Sequence, residues 1–219
     1  MNTIAEARPA STVVLLRDSE NGLETLLLRR NKALVFAGGL WVFPGGALDP
    51  EDIAAAGGDP VEASRLAAAR EALEESGLQP RLEDMVQLSH WTTPEAEPKR
   101  FSTYFFAAPV AGDGEVLIDG GEIHDHRWIT VRDAVAGHER GELGMLPPTY
   151  VNLLALTRYD TVQQMLATER DSTPPQVFPR LAMVEEGFCA LVRGDAGYDS
   201  CDGATPGARH RAILRGKRF

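Results

Sequence analysis

One stretch of the chain carries both ends of a helix in its own side chains. Asp59 is a strong N-cap residue, Pro60 fits a first helical position that needs no N–H, and Glu62 completes a D-x-x-E capping box. Gly77 stands where a left-handed C-cap belongs, and Pro80 lies just beyond it. Between them Leu66, Ala69 and Leu73 recur at helical spacing, which predicts a buried stripe. The same helix sets Glu71, Glu74 and Glu75 at i, i+3 and i+4, so three carboxylates share one face. Like charges at that spacing cost about 0.2–0.5 kcal/mol per pair, and crowding raises a carboxyl pKa. A divalent cation reverses the sign, because the ion becomes the largest local charge. Hard oxygen ligands suit Mg²⁺ or Mn²⁺, with substrate phosphates completing the shell. The plain alternative is a solvated acidic face.

The other elements are shorter. Thr12–Arg17 and Leu23–Arg29 flank a turn-like Asp18–Gly22 and read as a hairpin. Phe36 to Gly46 is apolar and broken by glycines, which speaks for close backbone approach rather than a regular strand. Val86–Thr92, Thr103–Pro109 and Glu122–Ile129 read as strands, and Val131–Arg140 as a short helix. Pro147 and Pro148 open a second long helical pattern to about Glu169, with Thr157 interrupting its stripe. Leu181–Val184, Cys189–Val192 and Arg211–Leu214 are short β-like runs.

Arg70-Glu-Ala-Leu-Glu-Glu-Ser-Gly-Leu78, downstream of Phe43-Pro-Gly-Gly46, resembles the Nudix box, G-x5-E-x7-R-E-U-x-E-E-x-G-U with U a bulky apolar residue. Seven residues separate Glu62 from Arg70 as the pattern asks, whereas fifteen instead of five separate Gly46 from Glu62. Ala47–Val61 then holds the excess as a loop or short helical insertion. The resemblance implies an α/β protein, the Nudix α/β/α sandwich with a mixed sheet and a C-terminal extension. It implies one Nudix hydrolase domain over residues 1–219, its core at about 10–140 and a helical and tail extension at about 147–219. It makes Glu71, Glu74, Glu75 and the Gly45 carbonyl the metal ligands, with Arg70 bracing the glutamates. Glu62 is either the partner of Arg70 or only a capping residue, and Arg70 either a brace or only an i,i+4 partner of Glu74. The implied reaction is metal-dependent hydrolysis of a nucleoside diphosphate derivative, with Glu71 or Glu122 as the base that serves the attacking water.

Leu27-Leu-Arg-Arg30, Phe36-Ala-Gly-Gly39, Trp91-Thr-Thr-Pro94, Lys99-Arg-Phe101 and Phe178-Pro-Arg180 are similar to the coenzyme A and acyl-coenzyme A diphosphatases. That points to coenzyme A or an acyl-coenzyme A as substrate, with Arg30, Lys99 and Arg100 as substrate-binding residues. A departure is Asn31, where another Nudix group's coenzyme A signature has serine. The alternatives are an ADP-sugar or dinucleotide diphosphatase, or a non-catalytic nucleotide-sensing module. Lys99 and Arg100 also suit plain exposed loop cations. Arg209–Phe219, with five Lys and Arg, suits either a nucleotide phosphate or a solvated tail. His124 and His126 lack a third ligand nearby for zinc, and Trp41 and Trp91 read as core.

A formal charge of −10 over 219 residues argues against nucleic-acid binding, so phosphate must be met by a metal ion or a local cation. The longest uncharged stretch, Ala33 to Leu48, is 16 residues with four glycines and a proline, too short and broken to span a bilayer. Two cysteines make no disulfide scaffold, and the N-terminus has no signal pattern, so a cytoplasmic setting is expected. A small-molecule nucleoside diphosphate substrate is the expected partner, and a homodimer is compatible with the reading.

Overall fold

The structure, a computed structural model, describes residues 4–34, 37–110, 114–118, 120–185 and 187–213. Phe36, Leu214 and the basic residues Arg215, Lys217 and Arg218 of the tail lie outside the described residues. Strand β1 (Ala7–Ser19) organises the main sheet. Along one edge it runs parallel to β6 (Arg100–Pro109), from Ala7 opposite Arg100 to Leu16 opposite Pro109. Its other edge is shared. Leu16–Ser19 pair antiparallel with β2 (Gly22–Arg30), and Ala10–Thr12 pair with β4 (Gly45–Ala47). Where β1 changes partner, Val13 N–H donates to the Pro44 carbonyl, which places the Pro44-Gly45-Gly46 run beside the middle of the sheet.

Strand β2 also carries β3 (Trp41–Val42) and β7 (Ile123–Thr130), and β5 (Val86–Thr92) joins β6. The two-residue β8 (Gln176–Val177) pairs parallel with β5. The sheet is therefore mixed. Alternation along β1 divides the core: Val14 and Leu16 point to one face, Val13 and Leu15 to the other. Helix α2 (Pro60–Ser76) covers the second face. Helices α3 (Val131–Glu139), α4 (Pro147–Leu156) and α5 (Val162–Glu169) cover the first with Trp41 and Trp91, both buried. This is the α/β/α sandwich.

Two expectations need correction. The buried stripe of α2 is Ala68, the expected Ala69, and Ala72, whereas Leu73 is 44% exposed and Leu66 only partly buried. The period was right and the phase wrong, because a helix that must approach a sheet closely turns its small residues inward. The second long helix breaks after Leu156 into α4 and α5. Arg132 takes the Thr157 carbonyl at 3.2 Å, Thr161 caps Gln164 N–H at 3.2 Å, and Asp18 accepts Val162 N–H at 2.8 Å. The expected loop or short helical insertion over Ala47–Val61 is a short helix, α1 (Pro50–Ala55).

The C-terminal runs form a separate three-stranded antiparallel sheet, β9 (Arg180–Val184), β10 (Gly187–Leu191) and β11 (Arg211–Ile213). Asp195 ties it together, accepting from Arg211 Nε at 2.7 Å and Nη2 at 2.6 Å and from the N–H groups of Gly197 and His210. The Arg211 bonds, with help from the backbone donors, hold the Asp195 carboxyl far below the usual carboxylate range despite burial. No helix among the described residues is long and apolar enough to cross a membrane.

Candidate active site

Helix α2 starts as the sequence requires. The Asp59 carboxylate accepts the N–H groups of Val61 and Glu62, and Gly77 closes the helix in the left-handed conformation. Its sheet-side alanines let it lie against β4, and the glycines complete the approach. A Cβ on Gly46 would stand 2.4 Å from Oε1 of Glu71, and one on Gly45 would stand 2.4 Å from the Ser11 carbonyl oxygen. At Gly45 the clash is with backbone, so only glycine fits, whereas a side chain at Gly46 would push the Glu71 carboxylate out of place. Gly45 N–H donates to Glu75 Oε2 at 2.9 Å. Thr12 Oγ1 donates to the Pro44 carbonyl at 2.5 Å and fixes the turn from below.

The three glutamates share a face but differ in setting. Glu74 is exposed, Glu71 half-buried, and Glu75 only 7% exposed. Burial pushes the Glu75 carboxyl up to about 8, with Glu71 and Glu122 adding to the rise while Gly45 N–H and Arg30 oppose it. Burial also raises Glu71 against the pull of Arg70, helped by Glu74 and Asp49. Arg70 Nη1 reaches Glu71 at 3.0 Å and Glu74 at 3.2 Å. Burial works against its charge, yet bonds to Asp52 and Glu71 outweigh it and raise its pKa further. Because Glu71 and Glu74 turn to Arg70 and Glu75 to Gly45, no three His, Cys, Asp or Glu side chains among the described residues stand as a ready-made metal cage.

The partner expected for Arg70 is displaced. Glu62 pairs with Arg65 at 3.2 Å, and Asp59 N–H donates to the Ala56 carbonyl, so Glu62 neither braces Arg70 nor closes a capping box. Arg70 Nη2 instead reaches Asp52 Oδ2 at 3.0 Å, with the Ala47 carbonyl at 3.2 Å and Asp49 at 3.4 Å. Asp52 is 7% exposed and also accepts Asp49 N–H at 2.9 Å. Sequence reasoning missed it, although five residues separate Gly46 from Asp52, the interval the box pattern asks for. The inserted residues therefore follow Asp52.

Arg30 ends β2 and reaches Glu122 at 2.9 Å, and both act on the charge of Glu75. Lys99 and Arg100 are elsewhere. Arg100 donates to the carbonyls of Ala5 at 2.7 Å and Thr93 at 3.1 Å, and Lys99 lies over the Phe101 ring. With Glu6 and Arg8 they line a cleft of about 590 Å³ at the start of β1, whose lining includes none of the box glutamates. His124 and His126 lie exposed on β7, and His210 Nδ1 contacts the Arg193 carbonyl.

The NUDIX domain family model matches residues 7–148. No curated protein matches the chain. Among solved structures, a NUDIX hydrolase from Alicyclobacillus acidocaldarius is similar at 26% identity and a TM-score of 0.71, over 78% of this chain and all of that one. The NUDIX domain of Shewanella oneidensis NrtR, complexed with ADP ribose, is 18% identical at a TM-score of 0.52, over 70% of this chain and 88% of that one. A Caenorhabditis elegans Ap4A hydrolase is 22% identical at a TM-score of 0.50, over 69% of this chain and 96% of that one. These last two bear on the fold alone. The sandwich, the glutamate helix over its glycine turn and the family match together show that the chain belongs to the Nudix family, as a hydrolase among enzymes that act on nucleoside diphosphate derivatives.

Proposed function

We propose that the chain is a Mg²⁺- or Mn²⁺-dependent diphosphatase of coenzyme A or acyl-coenzyme A, the whole chain acting as one unit with residues 147–219 extending the core. The observation that carries the metal dependence is Glu75, buried against Gly45 with its carboxyl pushed up to about 8 by that burial. Glu71, Glu74, Glu75 and the Gly45 carbonyl are hard oxygen donors on one helix face and the glycine turn beside it, the donor chemistry a divalent cation takes once the side chains turn from Arg70 and Gly45 N–H. What the cation supplies is positive charge against the diphosphate and a more acidic water.

The chain's residues do the rest. Arg70, held by Asp52, keeps Glu71 and Glu74 extended over the glycine turn. Glu122 accepts a proton from the attacking water, whose oxygen bonds to phosphorus while the bridging P–O bond breaks and its electron pair leaves with the departing phosphate. The coenzyme A assignment rests on the similarity of Leu27–Arg30, Trp91–Pro94 and Phe178–Arg180 to that group. An assay with Mn²⁺ over coenzyme A, an acyl-coenzyme A, ADP-ribose and diadenosine tetraphosphate, with products weighed by mass, tests it. The expected products are 3′,5′-ADP and a phosphopantetheine. Rapid cleavage of ADP-ribose or the dinucleotide with coenzyme A untouched would assign the substrate to those classes instead.

A further inference from the structure

Arg30 lies outside the box pattern yet acts on the charge of Glu75. We infer that it is a positioning residue for hydrolysis: its guanidinium holds the Glu122 carboxylate beside the glutamate face, where the attacking water gives up its proton. The inference rests on the reading of Glu122 as the base.

The backbone prepares this pairing from both sides. The β2–β7 register shifts between Arg29 and Arg30, and such a bulge re-aims the side chain that follows it. Arg30 N–H donates to the Leu40 carbonyl, and the Arg30 carbonyl accepts Gly39 N–H, each at 3.0 Å. On the other strand Asn31 N–H donates to the Glu122 carbonyl at 2.7 Å, and Asn31 Nδ2 to the Gly121 carbonyl at 3.3 Å. Residues 30–31 and 121–122 are thus stitched together independently of the Arg30 and Glu122 side chains.

The side chains are unequal partners. Arg30 is 18% exposed and Glu122 59%, with Nη2 to Oε2 at 2.9 Å. The less exposed, backbone-fixed cation thus holds the more exposed carboxylate. Both members of the pair act on the Glu75 carboxylate, Arg30 favouring its charged form and Glu122 opposing it.

The rival role for Arg30 is a direct grip on a substrate phosphate, and kinetics separate the two. The full chain is assayed with Mn²⁺ on whichever of coenzyme A and ADP-ribose it turns over faster. Glu122→Gln should lower kcat about 100-fold with KM within about twofold. Arg30→Met should lower kcat by about 10- to 100-fold with KM equally unmoved, and the double variant should be no slower than Glu122→Gln alone. Arg30→Lys should recover most of the loss, because the observed contact uses a single Nη2 that an ammonium can replace. Arg30→Gln stands in if the methionine variant does not fold, as judged by its melting temperature. A raised KM with kcat retained, or losses that multiply in the double variant, would overturn the positioning role in favour of phosphate binding. An unchanged kcat in Glu122→Gln would instead remove Glu122 as base and the inference with it, while metal-dependent hydrolysis by the parent would stand.

Discussion

Replacing Glu75 with glutamine isolates the buried charge around which the site is built. In the metal-free protein its carboxyl is raised from 4.5 to about 8, chiefly by burial. The folded state therefore binds a proton that the unfolded state has released between those two values, so stability is full below pH 4.5 and is lost as pH rises through about 8. At about 1.4 kcal/mol per pH unit, the loss amounts to about 3 kcal/mol at pH 7 and about 5 kcal/mol once pH is well above 8. Glutamine mimics the protonated acid and can keep its oxygen on Gly45 N–H. In EDTA at pH 7 Glu75→Gln should thus melt about 6–12 °C above the parent, with the difference vanishing near pH 4.5. Adding Mn²⁺ should reverse the order, raising the parent's melting temperature more at pH 8 than at pH 6 and leaving the variant little changed. Parallel melting curves for the two proteins from pH 5 to pH 8 in EDTA would refute the reasoning, whatever the activity of either.

Asp52→Ala should lower turnover or metal affinity by about 10- to 100-fold, because it removes the buried brace of Arg70, while Glu62→Ala should change either by less than about twofold. Steady-state rates across a Mn²⁺ titration compare the two, and the opposite order would restore Glu62 as the brace. Gly46→Ala drives a methyl into the Glu71 carboxylate, which must swing aside, so it should cost little stability by denaturant titration but most of the activity. Asp195→Ala leaves Arg211 buried without its partner and should cost the C-terminal sheet about 3–5 kcal/mol, read as faster hydrogen exchange within residues 180–213 and not across β1 and β6.

Much of this architecture is legible in the sequence because local chemistry dictates it. Asp59, Pro60 and Gly77 bound α2 wherever it packs, and the i, i+3, i+4 spacing alone places Glu71, Glu74 and Glu75 on one face. Val86–Thr92 is a strand at the same bounds, since its apolar and β-branched residues meet no competing turn signal. What escaped is what depends on distant partners. Leu73 looks like core until the alanines of α2 are set against a sheet that leaves no room for leucine. Asp52 looks like part of an insertion until α1 brings it to Arg70, 18 residues away. The break at Thr157 depends on Arg132 and Asp18, both outside the segment. Arg100 resembles a phosphate ligand in sequence, yet two backbone carbonyls take its guanidinium.

The central claim is that the glutamate face hydrolyses a diphosphate only with a divalent cation held partly by Glu75. The most direct measurement is the initial rate of coenzyme A hydrolysis against free Mn²⁺ at pH 8, for the parent and for Glu75→Gln. The account predicts no rate in EDTA, saturation with Mn²⁺ in the parent, and a curve for the variant shifted at least about tenfold to higher Mn²⁺ with a lower plateau. A variant curve superimposed on the parent's, or a parent rate that persists in EDTA, would contradict it.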